Sequence, residues 1–249
     1  MKEEKKPILQ HLQELRRVLL ISICAVLVCF VLIFYFFSES LMDFITAPIT
    51  NQGIQVIYTG IAEAFTTQLK VSLLVGGVAA FPIIAWQIWS FIKPALYPKE
   101  RRAFGYLFIL AVFLFILGVV FAYFVVYGLA VSFFLITGEG IAVPMLSISK
   151  YTSFLMGFLW PFGLMFQLPV VIYILARVGL VNHAKLSKAR RYIILVVFIV
   201  AAILTPPDVL SQLLLAAPML LLYEIGVFIA RFVKPNEERH KILENKTDR

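Results

Sequence analysis

The side chains able to do chemistry within the apolar part of this chain are few, and they are isolated carboxylates and amides. Glu224 and Gln167 lie inside long hydrophobic stretches; Glu14 and Glu100 stand just beside such stretches. Ionisable groups next to or within hydrocarbon are costly and mark candidate functional sites. Hydrolytic chemistry is excluded by the company they keep. The three histidines, His11, His183 and His240, all fall in polar segments, so no Ser/His pair forms within a span. No H-E-x-x-H pattern, no P-loop and no pair of intramembrane aspartates occurs. Cys24 and Cys29 sit five apart in one apolar run, pointing in different directions on a helix, so neither a disulfide nor a metal site follows. The chain reads as a non-enzyme with no cofactor and no metal.

Positioning these groups falls to six apolar runs, roughly 18–37, 65–91, 104–136, 152–176, 192–204 and 209–230. Of 22 Lys and Arg residues, 20 fall in alternate gaps between the runs: residues 1–17, 92–103, 177–191 and 231–249. Lys- and Arg-rich loops stay cytoplasmic, so both termini are expected there. The expectation is an all-α, polytopic membrane protein with six transmembrane helices, an external loop cap, and short fifth and sixth helices. Residues 1–233 form one membrane domain, and residues 234–249 a charged, disordered cytoplasmic tail. At 61% hydrophobic residues and a mean hydropathy of +0.94, a soluble core of this length is excluded. The net charge of +8 is confined to one side, which suits topology and anionic-lipid contact rather than nucleic acid. The first run is longer than the roughly 7–15 residues of a secretory signal and no small-residue cleavage site follows it, so it reads as a retained helix.

The runs differ in length, with consequences. Run 104–136, helical throughout, would be about 50 Å long, so its excess from about Tyr127 should protrude and pack on the 38–64 and 137–151 loops. The fifth run, Tyr192 to Leu204, offers about 20 Å before Thr205-Pro206-Pro207-Asp208 turns the chain, which suggests either a thinned bilayer or a buried hairpin. Pro82, Pro161, Pro169 and Pro218 each remove a helical hydrogen bond and predict kinks. No internal repeat of the kind that builds secondary transporters is evident.

From residue chemistry alone, Glu14 and Glu100 have two readings. They are interfacial salt-bridge partners of Arg16 and Arg102, or they are ligands for a cationic partner. Gln167, near the midplane, with Pro169 freeing the carbonyl of Met165, reads as interhelical glue. Glu224 is expected to find relief by snorkelling or by pairing with Arg231 two turns away. Trp86, Trp89, Phe91 and Tyr97 crowd the inner end of the second run as an aromatic belt.

Six segments, in order, make the chain resemble the TatC family, the polytopic subunit of the twin-arginine protein translocase. They are His11-Leu12-Gln13-Glu14-Leu15-Arg16; Glu63-Ala64-Phe65 with Lys70; and Pro82 with Trp86-Gln87-Ile88-Trp89-Ser90-Phe91. The others are Pro94-Ala95-Leu96-Tyr97 through Glu100-Arg101; Phe166-Gln167-Leu168-Pro169; and Leu204-Thr205-Pro206-Pro207-Asp208 with Glu224-Ile225-Gly226. The resemblance implies a receptor that captures folded cargo by its twin-arginine signal peptide at the cytoplasmic face of the inner (plasma) membrane. It makes Glu14 and Glu100 the carboxylates that receive the arginine pair, with Arg16 and Phe91 beside them. Arg presents a planar fork that suits a carboxylate, which Lys lacks. The resemblance further implies single-span TatA- and TatB-type partners, a homo-oligomer within the complex and transport driven by the proton-motive force. From the gap pattern itself, Pro48, Glu63 and Asp208 are expected as external loop and turn residues. Two positions depart from the family pattern: Val18 stands where a second Arg is frequent, and Gln167 where Glu is common, which removes a titrating role there. A small-molecule or ion transporter built on Glu224, Gln167 and Gln87 is the alternative from another class.

Overall fold

The helices are long because little in the sequence interrupts them. A computed structural model describes residues 8–92, 101–138, 145–204 and 208–233. Helix α1 runs Ile8–Thr50, α2 Glu63–Ile92 and α3 Arg101–Phe121; a π-helical segment Ala122–Tyr127 leads into α4, Gly128–Gly138. Then come α5, Ile148–Met165; α6, Leu168–Arg177; α7, His183–Leu204; and α8, Val209–Phe232. Five stretches among the described residues are long and apolar enough to cross a membrane: Gln13–Thr50, Glu63–Phe91, Gly105–Gly138, Ile148–Arg177 and Val209–Phe232. The chain is therefore a mostly helical, multi-pass membrane protein. Helix α7 holds the fifth predicted run, but Lys185, Lys188, Arg190 and Arg191 occupy its first turns, leaving the apolar part as short as the sequence suggests. With 22 and 24 residues, α7 and α8 are shorter than the other four helical stretches.

Contacts divide the chain into two compact units, Met1–Val112 with Val143–Ser153, and Phe113–Ala142 with Phe154–Arg249. The first is built on α1 and α2, packed along each other. Gly76 makes this possible, because a Cβ there would stand 2.8 Å from both the Cα and the N of Phe30. Small residues that let helix backbones touch are a main source of association in membranes, where burial of apolar surface gives little. At one end, the loop after α1 and the loop before α5 meet in a two-residue parallel ladder, β1 (Val56–Ile57) with β2 (Leu146–Ser147), with Val56 opposite Leu146. That ladder joins the two external loops expected to form a cap. Tyr151 adds a hydroxyl bond of 2.9 Å to the carbonyl of Ile45.

Helix α1 continues well past its apolar run. Residues 38–47 contain no breaker, Ile45 and Ile49 are buried, and Thr46 and Thr50 bond back to the carbonyls of Met42 and Thr46. Pro48 consequently lies inside α1 and not in an external loop as expected; the helix ends two residues later. Gln52 Nε2 donates to the Pro48 carbonyl at 2.8 Å.

In the second unit, α3 and α5 cross at reciprocal glycines. A Cβ on Gly118 would meet the carbonyl O of Phe162 at 2.8 Å, and one on Gly163 the ring of Phe115 at 2.7 Å. Around the crossing, Phe121 lies 5.7 Å from both Phe162 and Phe166 between ring centroids. The third predicted run is not a uniform α-helix: the π-helical turn at Ala122–Tyr127 interrupts it. Its later part packs its rings on α5, with Phe134 5.9 Å from Phe154 and Tyr127 tilted against Phe154 and edge-on to Phe158. Pro161 and Pro218 are accommodated inside α5 and α8, and Pro82 inside α2. Pro169 alone divides a helix, opening the break between α5 and α6.

Candidate functional site

Glu14 lies on the second turn of α1, half-buried, with Arg16 and Arg17 exposed beside it. Residues two apart on a helix point about 200° away from each other, so Arg16 stands on the far side of α1 from the Glu14 carboxylate. Phe91 is half-buried in the last turn of α2, after the buried Trp89; Trp86, one turn earlier, sets its ring edge-on to Phe108 at 5.3 Å. The Gly76–Phe30 contact fixes the register of this antiparallel pair. Glu14 lies about four and a half turns from it and Phe91 about four, roughly 24 and 22 Å along their helices toward the same end. Glu100 and the Pro94–Tyr97 segment lie outside the described residues.

At the opposite end of the pair, Glu63 is the first residue of α2 and a junction rather than a bare loop residue. Its Oε2 accepts from the Thr59 backbone N–H (2.6 Å), the Thr59 hydroxyl (2.8 Å) and the Gly60 N–H (3.1 Å). The bond back to Gly60 is the reach of a capping-box glutamate. Its Oε1 accepts from the Ser149 N–H at 3.2 Å and from the Ser147 hydroxyl. One carboxylate thus ties the β1 loop, the start of α2 and the start of α5 together. Replacing Glu63 with Ala removes all five acceptor contacts, and a lowered melting midpoint with faster proteolysis of the 51–62 loop is the expected result. Limited digestion of the detergent-solubilised protein reads it directly, and an unchanged digestion rate would contradict the junction role.

In the second unit the polar groups near the helices serve a break, a cap and a seam. Gln167 stands at the break between α5 and α6, where its N–H bonds the Leu164 carbonyl at 3.0 Å and its carbonyl accepts from Val171 at 2.9 Å. Asp208 caps α8: its Oδ1 accepts from the Ser211 N–H at 2.7 Å and its Oδ2 from the Ser211 hydroxyl, matching its expected place in the turn. Thr205, Pro206 and Pro207 lie outside the described residues. Glu224 pairs with Arg190 of α7 at 2.8 Å, not with Arg231 as expected from its own helix. Helices α7 and α8 are antiparallel neighbours, so the first basic turns of α7 come level with α8 about two-thirds of the way along it. The same seam holds Tyr223 Oη, donating to the Leu186 carbonyl at 2.8 Å, and His183 Nδ1, 3.2 Å from the Val227 carbonyl. A carboxylate already matched by a guanidinium is poorly suited to bind a transported cation, which removes the main support of the transporter alternative. Both side chains of the pair are about half exposed, at 47% and 50%. Glu224→Gln should consequently change stability by less than about 1 kcal/mol, measured by a double-mutant cycle with Arg190→Gln; a larger coupling would contradict this. Among the described residues no cluster of His, Cys, Asp or Glu could hold a metal ion.

Known proteins share both this arrangement and this sequence. The family described as Sec-independent protein translocase protein (TatC) matches residues 10–218. A Sec-independent protein translocase protein TatC of Carboxydothermus hydrogenoformans is 44% identical over 238 residues, covering 95% of this chain and 98% of that protein. The protein of the same name from Escherichia coli K12 is 42% identical over 234 residues, covering 92% and 90%. A crystal structure of the twin-arginine translocase receptor TatC superposes with a TM-score of 0.82 at 40% identity, covering 88% of this chain and 97% of that one. The chain belongs to the TatC family.

For a TatC-family chain, several positioning residues escaped the sequence reading. In the sequence Arg190 reads as a topology signal, although a basic residue at the start of a helix hairpin partner is a natural mate for Glu224. Ser147 and Ser149 passed unremarked because their link to Glu63 spans more than 80 residues. Gly76, Gly118 and Gly163 carried a readable signal, since small residues within long apolar runs mark places where helix backbones approach.

Proposed function

We propose that this chain is the receptor and core subunit of a twin-arginine protein translocase in the cell's inner (plasma) membrane. In this reading residues 1–233 form a domain of six transmembrane helices with both termini cytoplasmic, followed by a charged tail over 234–249. Glu14 and Glu100 receive the two guanidinium groups of the signal peptide, with Phe91 at the edge of the same surface; Arg16, on the opposite face of α1, stands outside it. Folded cargo is delivered to single-span TatA- and TatB-type partners and to further copies of the chain. The proton-motive force drives transport, and the chain itself catalyses no covalent step.

The observation that carries the reading is identity above 40% to TatC proteins along almost the whole chain, joined to a fold matching a solved twin-arginine translocase receptor. The placement of Glu14 supports its site. It lies at the end of the α1–α2 pair where α2 ends, and Glu100 follows the last residue of α2 by eight positions in the sequence. A photoreactive residue at Gln13 should crosslink to a signal peptide bearing the arginine pair, and one at Ile203, near the far end of α7, should not. Equal yields at the two positions would refute the placement.

A further inference from the structure

At the basic end of the second unit, α6 and α8 leave an open groove of about 470 Å³, lined by Tyr173, Arg177, Phe228, Ile229, Phe232 and Val233. Its size lies within the roughly 300–1,000 Å³ of small-molecule sites. None of these residues belongs to the proposed peptide surface or to the Arg190–Glu224 seam. The groove has two chemistries. Tyr173 and Arg177 are one turn apart on α6 and bring a phenol and a guanidinium to one rim. Phe228 and Phe232, one turn apart on α8 with ring centroids 5.0 Å apart, are 59% and 68% exposed and form an apolar wall with Ile229 and Val233.

We propose that this groove holds one anionic glycerophospholipid, with its phosphate at Arg177 and Tyr173 and the first part of an acyl chain along Phe228 and Phe232. Guanidinium groups grip phosphate oxygens through a bidentate fork, and basic pockets between helices at a membrane surface favour anionic headgroups. The charge around the groove selects further. Lys185, Arg191 and Arg231 lie in the segments flanking the same end of the unit, so a headgroup carrying its own ammonium is disfavoured relative to phosphatidylglycerol. A partner helix fits less well. The lining extends over about one turn of α6 and one and a half of α8, roughly 6–9 Å, whereas helix pairs pack along several turns. The site does not depend on the translocase reading, because it needs only that this end of the unit meets a lipid headgroup layer.

Native mass spectrometry of the purified full-length chain, titrated with phosphatidylglycerol and with phosphatidylcholine of the same acyl chains, tests the proposal. One phosphatidylglycerol should be retained preferentially, and soluble glycerol phosphate should not displace it. Loss of a charge-assisted contact in Arg177→Gln should weaken retention about tenfold. Ile229→Trp, which fills the groove without altering charge, should do the same, while Lys188→Gln outside the lining should not. Equal retention of both lipids, or equal weakening by Lys188→Gln, would reduce the effect to general surface charge and overturn the site. So would loss of a single-span partner from the Ile229→Trp variant with lipid retention unchanged, since that outcome gives the groove to a helix.

Discussion

Glu14→Gln is expected to weaken binding of a twin-arginine signal peptide by roughly tenfold to a hundredfold, and Glu100→Gln by a similar factor. Each substitution keeps the shape of the side chain and an acceptor oxygen, and removes only the charge and one arm of the bidentate grip. A hydrogen bond to a charged group contributes about 1.5–3 kcal/mol, and every 1.4 kcal/mol is tenfold in affinity. The effect should shrink in high salt, because carboxylates at the membrane surface are screened. It should also shrink for a twin-lysine peptide, which never formed the fork. Fluorescence anisotropy of a labelled peptide with the purified protein measures all four combinations. If Glu14→Gln left twin-arginine affinity unchanged, α1 would lose its place in the site, whatever Glu100 does.

The second large effect should come from a residue that touches no peptide. In Gly76→Leu the new Cβ would fall 2.8 Å from the Cα and N of Phe30. Backbone atoms cannot rotate aside, so α1 and α2 must separate or shift along each other. Overpacking of this kind costs about 1–3 kcal/mol, which should lower the melting midpoint in detergent. Peptide affinity should fall as well, since Glu14 is carried by one helix of the pair and the segment leading to Glu100 by the other. Gly105→Leu is the matched control: nothing lies within 4 Å of a Cβ there, and replacing glycine in a helix removes a propensity penalty. Its stability should be equal or higher. Equal destabilisation by both changes would mean that leucine harms the helices for a reason unrelated to the α1–α2 contact.

What could be read from the sequence follows from how locally each feature is encoded. Membrane spans need only composition and length, so five long helices were visible from the apolar runs, and the four Lys185–Arg191 charges explain why the fifth run looked short. Cap chemistry is local too, so Asp208 was placed in a turn and caps α8 three residues before Ser211. Pro48 misled because proline suggests a loop, whereas the buried Ile45 and Ile49 carry α1 through it on tertiary packing. The π-helical turn at Ala122–Tyr127 left no pattern in a run that is apolar on every face. The junction at Glu63 and the Arg190–Glu224 pair join residues far apart in the chain, and no periodicity reports such partners. The proposed peptide-binding carboxylates are different again. Composition leaves Glu14 open between a salt bridge and a ligand, and only the ordered set of family motifs favours the ligand.

The central claim is recognition of an arginine pair, and the most direct test is the affinity of the purified chain for a twin-arginine signal peptide against its twin-lysine variant. Both peptides carry the same charge, so the difference isolates guanidinium geometry from simple attraction. The account predicts selective binding of the arginine form by at least about tenfold, with the selectivity lost in the Glu14→Gln, Glu100→Gln double variant. Equal binding of both peptides by the unaltered protein would contradict it and leave a multi-pass membrane subunit whose receptor surface lies elsewhere.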